Sequence, residues 1–212
     1  MISYFRCVFW SLLLLLGCGA SKYNSMVQPM VQHTLTIEAN MGWWQPIGTG
    51  VALTKGNKKW IVSARHVLEA AEHVPLRACS IELPNECVGI PASSVQVLLV
   101  PQAADDDWGA LPVKRFPRGT WGARLGGEPQ IGDQIWVLGT PFGHPGEITQ
   151  GIVTNKDEIG FMLDARCGPG NSGGPLFNHE RELIGIVVAI ANSPLGHQEN
   201  MCLAIRIPTK YL

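Results

Sequence analysis

The sequence predicts an all-β protein, and three observations carry that prediction. Short apolar or alternating runs recur along the chain, Gly/Pro-rich turns separate them, and only VLEAAEHV, residues 67–74, has helical character. Such a series points to a sandwich or barrel arrangement rather than to alternating strand–helix units. The 212 residues suit one domain, or two small lobes in one chain, and a 46% hydrophobic content is ample for a core. A net charge of −1 and a pI of about 6.6 leave no basic footprint for nucleic acid.

The first 20 residues stand apart. MISYFRCVFWSLLLLLGCGA has one Arg, a short apolar run and a small-residue end. A comfortable membrane helix needs roughly 20 apolar residues, so the run reads as an export signal. Leu15-Leu16-Gly17-Cys18 resembles a bacterial lipobox, which makes Cys18 the expected lipidation site. A plain secretory signal cut after Ala20 and a retained membrane anchor are the alternatives. The first two readings place the chain outside the cytoplasm: in a bacterial cell envelope, lipid-anchored and periplasmic or at the surface, or secreted. SKYNSMVQPMVQ, residues 21–32, reads as a polar tether.

From residue 33 the pattern is strand, turn, strand. HTLTIEA alternates, and GTGVALT is joined to KWIVSA by the turn KGNK, a hairpin signature. CSIELPNEC folds around its Pro-Asn pair. SVQVLLV, ALPVKRF, DQIWVLG, EITQGIVT, FMLDA, LIGIVVAI and CLAIRIP continue the strands. FPRGTWGARLGG, residues 116–127, has no clear period and is expected to cross between two lobes, one at about 33–117 and one at about 125–212.

Export implies an oxidising compartment. With Cys7 removed and Cys18 acylated, Cys79, Cys87, Cys167 and Cys202 remain, which allow three pairings or four free thiols. Neither C-x-x-C nor H-E-x-x-H spacing occurs, so no metal and no other cofactor is expected.

GPGNSGGPLF, residues 168–177, surrounds Ser172 with turn-formers. Gly170, Ser172 and Gly174 satisfy G-x-S-x-G, but that elbow needs a following helix and then its Asp and His. Here strand-like sequence follows, and only about forty residues remain after the serine. The order His, Asp, Ser is instead met upstream: WIVSARH ends a strand at His66, and DDDWGALPV offers Asp107 entering another. A hydroxyl is a poor nucleophile until an imidazole removes its proton, and the imidazole needs a carboxylate to hold its tautomer. The glycines then let the backbone N–H groups of Gly170 and Ser172 converge on an oxyanion, because Pro169 has no N–H to give.

On these residues the chain resembles trypsin-fold serine proteases, and within them the HtrA/Deg branch. GTGVAL, IVSARHVLEAA, DWGALPV, IGDQIWVLGTPFG, ITQGIVT, DARCGPGNSGGPLFN and ELIGIVVAI carry the resemblance, across residues 33–208. It implies two six-stranded antiparallel β-barrels, with His66 and Asp107 on the first, Ser172 on the second and the active site in the cleft between them. The implied activity is that of a serine endopeptidase acting on polypeptides, within a protease domain spanning 33–212. A catalytically silent peptide-binding module and an exported esterase are the alternatives. The chain departs from the HtrA pattern in ending at Leu212, with no room for a PDZ domain, and in carrying Arg65 and Arg166.

The resemblance also places Arg166 and Val188 at the primary substrate pocket, where Arg166 would favour acidic residues and the HtrA-like pattern aliphatic ones. The expected pairings are Cys79–Cys87, which would staple a hairpin, and Cys167–Cys202, which would tie the nucleophile loop to a late strand much as digestive relatives do. Digestive relatives have an aspartate before the nucleophile that pairs with a freed α-amino group; here Asn171 stands there. Activity is therefore expected without proteolytic maturation, and to be alike in chains beginning at Ser21 and at Gln28.

Overall fold

The computed structural model describes residues 22–95, 107–191, 201–208 and 212. The signal-like segment with Cys18 and Ala20, and the acidic residues Asp105 and Asp106, lie outside these described residues. No helix among the described residues is long and apolar enough to cross a membrane.

The first lobe contains β1 (Thr34–Asn40), β2 (Trp44–Lys55), β3 (Lys58–Ser63), β4 (Leu76–Ser80), β5 (Cys87–Ile90) and β6 (Gly109–Val113). They form one antiparallel sheet in the order β5-β4-β1-β2-β3-β6. Lys55 pairs with Lys58, so Gly56 and Asn57 make the two-residue turn that the KGNK sequence announces. The second lobe contains β7 (Gln134–Gly139), β8 (Glu147–Lys156), β9 (Gly160–Arg166), β10 (Pro175–Phe177), β11 (Leu183–Ala191) and β12 (Met201–Ile205). These close into an antiparallel barrel, β10-β11-β12-β9-β8-β7. The two lobes are thus a six-stranded half-barrel and a six-stranded closed barrel. SVQVLLV begins in a helical turn, Ala92–Val95, rather than as strand, and its remainder lies outside the described residues.

Each sheet buries its inward row: Leu35, Ile37, Ile61 and Leu111 in the first, Ile135, Leu163, Leu176 and Val187 in the second. A third cluster joins them, with Val51, Leu53 and Val62 against Phe177, Leu183 and Ile186. The crossing segment stitches the lobes by backbone bonds. Ala123 N–H donates to the Ala52 carbonyl (2.8 Å), and Gly126 N–H donates to the Leu183 carbonyl (2.9 Å).

The segment ahead of β1 is not a tether. Val27, Met30 and Val31 are buried in the cluster between the lobes, and Gln28–Val31 form a short helix, α1. Their i, i+3, i+4 spacing puts all three on one face, and burying such side chains contributes about 1.5–3 kcal/mol each. Asn24 Oδ1 accepts the N–H groups of Met26 and Val27, while the side chains of Gln28 and Gln32 both bond to Glu82.

Candidate active site

Strand register places the histidine and its carboxylate together. Ser63 on β3 pairs with Gly109 on β6, and continuing that antiparallel ladder brings Arg65 N–H to the Asp107 carbonyl (3.3 Å). Ala64 is extended, and the next residues turn into the short helix α2 (Arg65–Glu69). His66 therefore projects from the first turn of α2 beside Asp107. Its backbone N–H donates to Asp107 Oδ1 (3.0 Å), and its Nδ1 lies 2.6 Å from Oδ2. One carboxylate thus fixes both the backbone and the ring, leaving Nε2 as the free ring nitrogen. The hydrogen bond that His66 Nδ1 donates to Asp107 is the main cause holding the His66 pKa above its ordinary value; partial burial opposes it, and the charges of Asp107 and Glu69 add to it.

Ser172 lies in the loop between β9 and β10, half-buried. Gly173 has φ +82°, and a Cβ there would overlap Ser63 Oγ and the Thr49 carbonyl, at the strand end just before His66. Gly170 has φ +101°, and a Cβ there would overlap the Thr140 carbonyl. Only glycine meets both demands. Thr49 on β2 grips the loop twice: its N–H donates to the Ser172 carbonyl (2.9 Å) and its Oγ1 to the Gly170 carbonyl (2.7 Å). Thr49 Oγ1 in turn accepts Thr140 N–H (2.9 Å), and Phe142 N–H donates to the Pro169 carbonyl (2.7 Å).

The carbonyls of Pro169, Gly170 and Ser172 are thus all engaged, whereas among the described residues the N–H groups of Gly170 and Ser172 make no hydrogen bond. The Ser172 hydroxyl likewise makes none, to His66 or elsewhere, among the described residues. Nucleophile–base bonds are often loose before substrate arrives. Thr49 and Thr140 are missed by reasoning from the sequence; the GTG and LGTPFG stretches are the only signals they leave there.

Arg166 is exposed at the end of β9. Val188, half-buried, lines a cavity of about 200 Å³ with Lys156, Met162 and Leu203, among others, and Arg166 is not on its wall. Arg65 bonds Glu69 one turn along α2 (2.6 Å), an exposed pair of small energetic weight. The disulfides are Cys79–Cys87, across β4 and β5, and Cys167–Cys202, between the start of the Ser172 loop and β12.

Residues 48–186 match the sequence profile of the trypsin-like peptidase domain. The chain is 30% identical over 151 residues to a probable periplasmic serine endoprotease DegP-like from Hahella chejuensis, covering 67% of this chain and 29% of that protein. It is 29% identical over 206 residues to Protease Do-like 2, chloroplastic, from Arabidopsis thaliana, covering 90% of this chain and 31% of that one. It spans, then, less than a third of the length of these relatives. The HtrA-type protease AlgW, solved with a decapeptide, superposes with a TM-score of 0.65 at 20% identity, covering 87% of this chain and 63% of its own. A profile match running from residue 48 to 186 takes in strands of both lobes, and the chain belongs to the trypsin-like peptidase family.

Proposed function

We propose that this chain is an exported serine endopeptidase that cleaves polypeptides through an acyl-enzyme on Ser172. The observation that carries the reading is the double grip of Asp107 on His66, which presents Nε2 as a base. Substrate binding brings the scissile carbonyl over Ser172. Nε2 takes the hydroxyl proton as Oγ attacks the carbonyl carbon, and the new oxyanion accepts the unengaged N–H groups of Gly170 and Ser172. The imidazolium, stabilised by Asp107, then gives its proton to the leaving amine. Water, deprotonated by the same nitrogen, attacks the ester and frees Ser172.

The relatives named as periplasmic proteases support an envelope location, and Cys18 supports a lipid anchor there. The structure of AlgW with a decapeptide supports polypeptides as the substrate class. The test compares fluorophosphonate labelling and casein cleavage by wild type, Ser172→Ala and His66→Ala. Labelling and cleavage by wild type alone are expected. Equal labelling of Ser172→Ala, or ester turnover without peptide cleavage, would remove the endopeptidase reading.

A further inference from the structure

The Ser172 loop is not held by its own glycines alone. Between β7 and β8 the chain forms a second loop, closed where Gly146 N–H donates to the Gly139 carbonyl (2.9 Å). Two of its residues face the Ser172 loop. The Thr140 carbonyl lies against the α-carbon of Gly170, and the Phe142 ring lies over that of Gly168. Phe142 has φ +53° and a ring that is 74% exposed. A bulky residue in that backbone region is strained, and it persists only where the surroundings over-determine it.

Phe142 N–H holds the Pro169 carbonyl. That carbonyl and Gly170 N–H are opposite ends of one peptide plane, so fixing the first fixes the direction of the second. The orientation of the Gly170 donor therefore depends on the 139–146 loop staying closed. At the closing end of that loop stands Tyr23. Its hydroxyl donates to the Gly146 carbonyl (3.2 Å) and lies against the Gly146 α-carbon, with Ile81 beside it. Tyr23 in turn is carried by the segment that Val27, Met30 and Val31 anchor in the core.

We propose that Tyr23 is a positioning residue for the chemistry of Ser172: it keeps the 139–146 loop closed, and through Phe142 and Pro169 it keeps Gly170 N–H directed at the oxyanion. The role rests on the acyl chemistry proposed above. It differs from burial of a charged chain terminus, because the contact is a phenol on a carbonyl and involves no α-amino group.

The test uses the full-length chain as Tyr23→Ala, Tyr23→Phe and, as control on the same segment, Met26→Ala, whose side chain is exposed. Turnover of a peptide is divided by the sites titrated with a fluorophosphonate. Tyr23→Ala is expected to lower kcat per titrated site about tenfold with KM little changed, a fraction of what losing an oxyanion donor costs. Tyr23→Phe, lacking only the hydroxyl, is expected to lower it about threefold, and Met26→Ala not at all.

In a Ser172→Ala background, Tyr23→Ala is expected to speed amide hydrogen exchange in residues 140–146 and 168–174. A merely structural Tyr23 would lower the melting temperature and the titratable fraction while kcat per site stayed constant, and that result overturns the proposal. So does unchanged exchange in the two loops. Failure of wild type to label at Ser172 would sink the catalytic reading instead, and exchange would still decide whether Tyr23 braces the loop.

Discussion

At His66 one carboxylate holds both backbone and ring and is the main cause of the raised pKa. As the proposed base, His66 must be neutral to accept a proton, so a raised pKa would move the acid limb of kcat/KM upward. The sequence-based expectation for that limb is the reference value of about 6.5; the raised His66 pKa moves the expectation higher, because the ring hydrogen-bonds Asp107 directly. The sign for stability is opposite. A raised folded-state pKa means the His66–Asp107 contribution is full below about pH 6.5 and is lost as pH rises through the folded value. Activity should therefore rise over the window in which the melting-temperature gap between wild type and Asp107→Asn narrows. Asp107→Asn should also lower kcat about 10⁴-fold, since an amide cannot hold the same tautomer. Kinetic and melting profiles over pH 5–9 check both; a wild-type limb at or below the reference value refutes the account.

Short elements show what a sequence can and cannot disclose. The β2–β3 hairpin was legible because its alternation has period two and its turn is Gly-Asn between paired lysines. The order His66, Asp107, Ser172 was legible because each residue stands just before or just after such a strand. α1 was not legible: four residues give no run of helical period, and the polar neighbours of Val27, Met30 and Val31 disguise one apolar face as a tether. Thr49 was hidden for a different reason, since its two bonds to the Ser172 loop span more than 120 residues and appear only on folding. Met30 is fully buried, so Met30→Ala should cost about 2–5 kcal/mol in denaturant unfolding, where a free tether would cost nothing. The disulfides add to the same framework. Cys167–Cys202, 35 residues apart, is worth about 4 kcal/mol on the chain-entropy argument, and Cys79–Cys87, 8 apart, about 2.5 kcal/mol. Replacing the first pair with serines should therefore lower stability more than replacing the second, with the denaturation midpoints as the measure.

For the whole molecule the question is how a cleft between two lobes is kept ready for reaction. A buried ion pair with a new N-terminus is one solution, and it needs a carboxylate beside the proposed nucleophile. Asn171 occupies that position, 4% exposed, with its side-chain oxygen against Gly139 and without a hydrogen bond among the described residues. A neutral amide there can hydrogen-bond but offers no charge to an ammonium. The loop is instead held by Thr49 from the first lobe and by the 139–146 loop from the second. Activity should therefore not depend on a free, exact N-terminus: a chain beginning at Ser21 and the same chain with a tag upstream should share one kcat/KM. The sequence alone extends that equality to a chain beginning at Gln28. The packing of Tyr23 on Gly146 withdraws it, and that shorter chain should turn over about tenfold more slowly, as a misdirected oxyanion donor would make it. Asn171→Asp separates this arrangement from the ion-pair one, because it buries a carboxylate with no cation to meet it and should lose both stability and activity. Steady-state kinetics of the four proteins against wild type decide the matter. Full activity in Asn171→Asp only after removal of the tag would show that an α-amino group does reach the loop, and a loop held by Thr49 and the 139–146 loop alone would be ruled out.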